Sequence, residues 1–545
     1  MRPLSKIFFS SFFLALLCFF FGCSRGETPV ERASRGGVLL MGNSADPESL
    51  DPALMTGLVE AKILNSLFEG LVSADTRTLE VVPAAAKSWQ ISPDGKTYTF
   101  YIDERARWSD GKPVLARDFV FAWRRAVSPQ IAAQYSSLMH CIKNASAIAA
   151  GRAAPETLGA EAALERVLRV ELERPCPYFL TLLYQSVFFP LREDALKKFG
   201  ADRAPNARWT KPENMVSNGA FRLEKWSING KVRVLKNKYF RDPSRVKLNA
   251  IEFFPISNIN TEDRAFRAGQ LHITDSASPY RIAAIKRNTP QFLHSYKWLG
   301  AYYYTFNTAR KPFGDPRVRL ALSLAIDRRA IIENFLKGGQ QAAYSLVPEG
   351  CGGMRTTPPF SASDVARARA LLAEAGYPGG AGFPKVQITY NVSEQHKPIA
   401  EAIQQMWRQN LGIETELYNL SWPAYLAARR ARDFDIVRSS WIGDFPEPET
   451  FLDTLRGSSA LNHSGWKSPE YDALLSRAEA AKTKTERLAF LAEAESLMLK
   501  SAPIMPIYFY SRVYQILPSV KNWHSNILDY HNYLDVYISP EGGTK

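Results

Sequence analysis

Hydrophobic and polar positions change period several times along this chain. KTYTFYI (96 to 102) alternates apolar and polar side chains directly after the turn SPDG, the two-residue period of a half-buried strand. In ARDFVFAWRRAV (116 to 127) the period is helical, and Phe119, Trp123 and Val127 fall on one face. DVARARALLAEAG (364 to 376) predicts another helix, with Asp364 near its start, Ala and Leu inside, and Gly376 at its end. After it, FPKVQITYN reads as a strand, IAEAIQQMWRQNLG as a helix stopped by Gly412, and IETELYNL as a strand. PAYLAARRARD then reads as a helix and FDIVRSSW as a strand. Strand and helix in such alternation predict a parallel α/β sheet, where ligands collect beyond the carboxyl ends of strands. Just past the last strand comes WIGDFPEP. Pro446 and Pro448 deny the backbone a helix there and hold Asp444 on a stiff, irregular turn.

The 545 residues exceed what one hydrophobic core supports, so two or three domains are expected. Only the N-terminus departs from a soluble composition. Arg2 and Lys6 precede the uncharged run Ile7 to Gly22, which is shorter than a membrane-spanning helix and reads as a secretory signal over residues 1–22. The signal ends FFGC, which resembles the lipobox of bacterial lipoproteins although Phe20 stands where Leu is usual. That resemblance implies an acylated Cys23, with SRGETPVERASRGG as a polar tether to the folded body.

Charge and chemistry narrow the function. The net charge of +14 is spread along the chain rather than blocked, so nucleic acid is a poor partner, and adhesion to an acidic surface or attraction of anionic groups fits better. Cys141, Cys176 and Cys351 are widely spaced, with no CxxC pair, which offers neither a metal site nor a disulfide framework. The seven histidines never take ligand spacing, and no phosphate loop, GxSxG elbow or HExxH helix is present. No catalytic residue, metal or cofactor is expected.

Eight stretches then fall in one order: ESLDP (48 to 52), LFEGLV (67 to 72), ARWSDGKPVLARDFVFAWRR (106 to 125), VSNGAFRLEKW (216 to 226), YYYTFNTARKPFGDPRVRLALSLAIDR (302 to 328), LLAEAGYP (371 to 378), WIGDFPEPETFLD (441 to 453) and APIMPIYFY (502 to 510). Together they resemble the peptide-binding class of extracytoplasmic solute-binding proteins, which feed oligopeptide ABC importers. The resemblance implies an α/β, two-lobed periplasmic-binding-protein-like fold (type II, cluster C) with an additional inserted domain. Lobe I would take 24–58, 189–298 and 511–545, the inserted domain 59–188, and the second lobe 299–510. It also implies a monomer without enzymatic activity, tethered to a membrane. Such a receptor passes short peptides to a permease and its ATPase subunits.

In this family an acid in a WxxD context before xxEP binds the peptide's α-ammonium, which is Asp444 here. Arg438, Arg429 and His396 match positions that meet peptide carboxylates at different lengths. The peptide backbone would be sandwiched as an added strand between Ala45–Asp46–Pro47 and Ser439–Ser440–Trp441 with Gly443. Tyr135, Tyr302 and Trp441 are candidate pocket walls. Some relatives carry a disulfide near the ligand; the matching places here are Gly300 and Ile442, so both partners are gone together. Alternatives are the same fold binding dipeptides, murein peptides, haem or a nickel complex, or an extracytoplasmic peptide or wall-fragment hydrolase. An anchored acid favours a ligand with a free amino group over metal and haem.

Overall fold

The computed structural model describes residues 26–539, apart from 56, 394 and 460. The signal segment 1–22 and Cys23 lie outside the described residues. The alternating run forms the strand Thr97–Ile102, buried at every second residue. It sits in an antiparallel four-stranded sheet with Ala86–Ile91, Val167–Glu171 and Ala160–Leu164. The helix Ala116–Val127 buries Phe119, Trp123 and Val127 as its period predicts. Trp123 satisfies its one polar atom by donating to the Phe188 carbonyl at 2.8 Å.

A second four-stranded sheet sets Val38–Gly42, Ala250–Phe254, Lys231–Lys236 and Phe221–Ser227 side by side. Leu39, Ile251 and Phe253 from this sheet share one continuous core with Phe100 and Leu168 from the first. The segment expected as an inserted domain thus has a sheet of its own but no separate core. The helix Leu58–Leu67 runs across the expected boundary at 58/59.

The third sheet holds six strands in the order Gln341–Ala342, Ile504–Gln515, Leu293–Phe306, Ile436–Ile442, Val386–Asn391, Thr415–Leu420. The last three are parallel and are joined by the helices His396–Leu411 and Trp422–Ala431, as the alternation of periods predicts. Gly412 ends the first of these helices at φ +70°, a left-handed conformation in which a side chain is strained. Both faces of the sheet are covered. Tyr302, Tyr304 and Phe306 enter one core, while Ala301 and Tyr303 enter another.

Two strands far exceed ordinary length, Leu293–Phe306 with 14 residues and Ile504–Gln515 with 12. Residues 293–297 pair with 511–515, and 301–305 with 504–509, with a break in register between Lys297 and Ala301. One end of the pair is held by the first half of the chain, through Thr274 N to the Gln515 carbonyl (2.9 Å) and Ala277 N to the Val513 carbonyl (2.8 Å). The other end lies inside the six-stranded sheet. The expected boundaries at 298/299 and 510/511 fall within this pair, close to its irregular step, and not in loops. A ladder with a bulge bridges two lobes while allowing a local bend. Among the described residues no helix is long and apolar enough to cross a membrane.

Candidate functional site

The strand Ile436–Ile442 ends where the first half of the chain meets the six-stranded sheet, and the turn after it is fastened on every side. Gly443 N donates to the Leu299 carbonyl at 2.7 Å, and a Cβ on Gly443 would stand 2.6 Å from Leu299 Cδ2, so any larger residue there would have to push the Leu299 side chain aside. Asp444 N and Trp441 Nε1 both donate to Thr450 Oγ1, at 3.1 and 3.4 Å. Gln185 Nε2, from the other side of the cleft, donates to the Asp444 carbonyl. Glu447 and Glu449 each accept from Arg487, at 2.7 and 2.5 Å. The prolines stiffen the turn, and these bonds set its direction.

The Asp444 side chain lines two cavities, one of about 810 Å³ and one of about 290 Å³. The Tyr135 hydroxyl hydrogen-bonds its carboxyl group. Burial pushes the Asp444 carboxyl up to about 7, and the Tyr135 bond offsets only part of that rise. Among the described residues no cation pairs with it. The nearby Asp529 differs sharply: burial alone would raise it, yet Arg512 and His531 hold it far below the usual carboxylate range. Asp529 is an internal counter-ion. Asp444 is a buried acid still short of one.

Arg438 is the complement. It is buried on the strand Ile436–Ile442, its guanidinium 4.8 Å from the centre of the Tyr302 ring, with one amino group donating to the Tyr510 hydroxyl at 3.1 Å. Its Nε has no hydrogen-bond partner, and among the described residues no carboxylate pairs with it. Guanidinium stays charged at any physiological pH, so this is a buried cation held by aromatic faces and hydroxyls alone.

The other expected residues divide. Tyr135 and Trp441 line the larger cavity together with Asp444, and Gly443 lines the smaller one. Tyr302 is wholly buried: it stacks on Tyr508 at 4.7 Å, forming the floor beneath Arg438 instead of an open wall. His396 lies in the same cluster, its Nδ1 3.4 Å from the Tyr302 hydroxyl. Burial first, and then the Arg438 charge, depress it to about 3, so at neutral pH it offers a neutral N–H and no cation. Arg429 stands over Tyr425 at 5.5 Å and acts on Tyr303, whose side chain leaves the sheet on the face opposite to Tyr302. Ser439 is buried against Thr305, with 2.8 Å between the hydroxyls, while Ser440 pairs across the ladder with Tyr302 on the Arg438 face. Ala45–Asp46–Pro47 do not extend a strand. The strand ends at Gly42, Ser44 turns to φ +47°, and Asp46 accepts from the Asn229 amide at 2.7 Å. These three line neither cavity at Asp444. Gly300 and Ile442 are direct cross-strand partners, and a Cβ on Gly300 would lie 2.4 Å from Ile442 Cδ1. The isoleucine fills the space its partner leaves.

Sequence reasoning missed Thr450, Gln185 and Tyr510. Tyr510 had a signal, since Tyr508 and Tyr510 share a face in the alternation of PIYFY. Gln185 had none.

Two lobes bridged by a strand pair, with Asp444 and Arg438 buried without counter-ions among the described residues, match the layout of a solute-binding protein. The chain belongs to the bacterial extracellular solute-binding proteins, family 5, whose family model matches residues 80–463. It is 36% identical over 489 residues to the periplasmic murein peptide-binding protein MppA of Escherichia coli, covering 88% of this chain and 89% of that one. It is 37% identical over 507 residues to the probable deoxycholate-binding periplasmic protein YgiS of the same organism, covering 91% and 92%. The structure of Haemophilus influenzae OppA in complex with RPPGFSPFR is similar at a TM-score of 0.80, with 33% identity, covering 92% and 99%.

Proposed function

We propose that this chain captures short peptides outside the cytoplasm and delivers them to an ABC permease and its ATPase subunits. One observation carries the reading: Asp444 and Arg438, buried and opposite in charge, lie on one strand-and-turn segment without counter-ions among the described residues. A zwitterionic ligand neutralises both. An anionic apolar ligand, of the kind named for YgiS, would satisfy Arg438 and leave Asp444 buried without a cation, at a cost of several kcal/mol. Arg429 and His396 would then serve peptides of other lengths, His396 as a neutral donor.

The test is calorimetry of one short peptide against its N-acetylated and C-amidated forms, across about pH 5 to 8. The empty site holds Asp444 near pKa 7, and pairing with an ammonium lowers that value in the complex, so binding releases a proton below pH 7. Affinity for the free peptide is therefore full just above pH 7 and falls about tenfold per unit as the solution is acidified. Above about pH 8 it falls again as the peptide's amino group loses its own proton. A flat profile, or equal binding of the acetylated peptide, would overturn the reading.

We further propose that the chain works as a monomer held at a membrane by a lipid on Cys23. The FFGC pattern supports this, as does the polar tether behind it. Cys23→Ser, expressed with its signal, is expected in the soluble extracytoplasmic fraction while the parent protein sediments with membranes. Identical fractionation of the two would remove the anchor from the account.

A further inference from the structure

Two thiols that their spacing leaves unrelated meet in the folded chain. Cys141 follows the helical turn Gln134–Met139, and Cys176 lies on the loop after the strand Val167–Glu171. The two segments run side by side. Glu173 N donates to the Cys141 carbonyl at 2.8 Å, Lys143 N to the Glu171 carbonyl at 3.0 Å, and Ile142 bridges to Leu172. Both cysteines line the larger cavity at Asp444, where the Cys141 thiol also donates to the Leu138 carbonyl at 3.7 Å and the two thiols interact with one another. Tyr98 marks the same spot, because both sulfurs act on its phenol. Cys351 lies apart, buried in a core of the six-stranded sheet.

We propose that Cys141 and Cys176 are a disulfide site, closed once the chain reaches an oxidising compartment; this rests on the reading that the chain is exported. The oxidant is a disulfide-bearing exchange partner of that compartment. Cys141 is half-buried and opens on the cavity, so its thiolate attacks the donor disulfide and one donor thiolate leaves. The Cys176 thiol then gives up its proton and attacks Cys141 Sγ, releasing the second donor thiolate. Two protons and two electrons leave the protein, and the donor is reduced to a dithiol. The order is set by environment. The interaction with the Cys141 sulfur, which keeps the Cys176 thiol protonated as its donor, and then burial, hold that thiol well above its ordinary range, which suits it to the second step only.

The bond would brace a wall of the ligand cavity. It ties the turn carrying Tyr135, which touches the Asp444 carboxyl, to the loop carrying Tyr178, whose ring stacks on Phe445 at 4.9 Å. Both contacts to the Asp444 turn then come from covalently linked segments.

The test reduces the purified protein, exposes it to oxidised glutathione under native conditions, and alkylates the remaining thiols after denaturation. Peptide mapping is expected to show one intramolecular link, Cys141 to Cys176, with the loss of two hydrogens and with Cys351 alkylated. Reductant is expected to lower the Tm of the oxidised protein and to leave a Cys141→Ser/Cys176→Ser variant unmoved. Separate glutathione adducts on the two cysteines, or two alkylated thiols, would overturn the site, as would an equal effect of reductant on the variant. Export is read separately, from the loss of residues 1–22 in protein recovered from cells. A retained signal with an intact link in vitro would sink the compartment and leave the site standing.

Discussion

Replacing Asp444 by asparagine will weaken binding of peptides with a free amino terminus by at least about 2 kcal/mol, the usual cost of leaving a buried charge without its partner. Asparagine keeps the shape and can still accept from Tyr135, so the turn and the cavities survive the change. The loss falls on the ammonium. N-acetylated peptides, which have no ammonium, should bind parent and variant nearly alike. The part of the pH dependence below neutrality that comes from the ammonium's pairing should vanish with the carboxyl group, because asparagine has no proton to release. Calorimetry on matched free and acetylated peptides decides the matter, and equal losses for both would remove Asp444 from the amino-terminal site. A second effect follows with the opposite sign. A carboxyl raised to about 7 costs stability that grows as the pH rises from the ordinary carboxylate range, is full above about pH 7, and is absent below that ordinary range. The empty variant should therefore unfold at a higher temperature than the parent above pH 7, and at a similar one in acid.

Arg438→Ala is the second large effect. It should cost about 2 to 5 kcal/mol for the one peptide length whose carboxylate reaches the guanidinium, because truncation leaves that carboxylate enclosed without a cation. Longer peptides should lose less, and C-amidated peptides hardly anything. A series from dipeptide to pentapeptide on both proteins reads this directly. The tyrosines around Arg438 sharpen the prediction. Tyr302, Tyr508 and Tyr510 pack on one another independently of the arginine, so its removal leaves the floor in place. Arg438→Lys should rescue only part of the loss, since a lysine supplies the charge without the planar fork. A uniform loss at every length, amidated or not, would make Arg438 a support of the lobe.

Elements in both halves of the chain were legible because each carries its own local period. Thr97–Ile102 declares one buried face, and Ala116–Val127 declares a stripe. The strands 386–391, 415–420 and 436–442 alternate with helices in a way that parallel pairing satisfies. The stiffness of the turn at Asp444 was legible too, because proline acts on its own backbone. Where Ala45–Asp46–Pro47 lie was not legible, since a short extended run carries no sign of whether the protein's own strand continues through it, and here it ends at Gly42. The burial of Tyr302 beneath Arg438 was not legible either. A tyrosine on a strand has the same local signature whether it walls a cavity or floors a charge.

The sequence by itself determined the order of strands and helices, the acid placed just past a strand end, and the arginine on the strand before it. These depend on side chains within a few residues of one another, where periodicity and backbone restriction act. Only the tertiary structure decided what those charges meet. Tyr135 and Gln185 reach Asp444 from the far side of the cleft. Tyr302 and Tyr510 come to Arg438 from two other strands, and Cys141 finds Cys176 across a loop. Whether a carboxylate has a counter-ion, and whether two thiols touch, is fixed by contacts between residues far apart in the chain, and no local period encodes them. The same holds for the long strand pair: its bulge between Lys297 and Ala301 exists only in the register of one strand against the other.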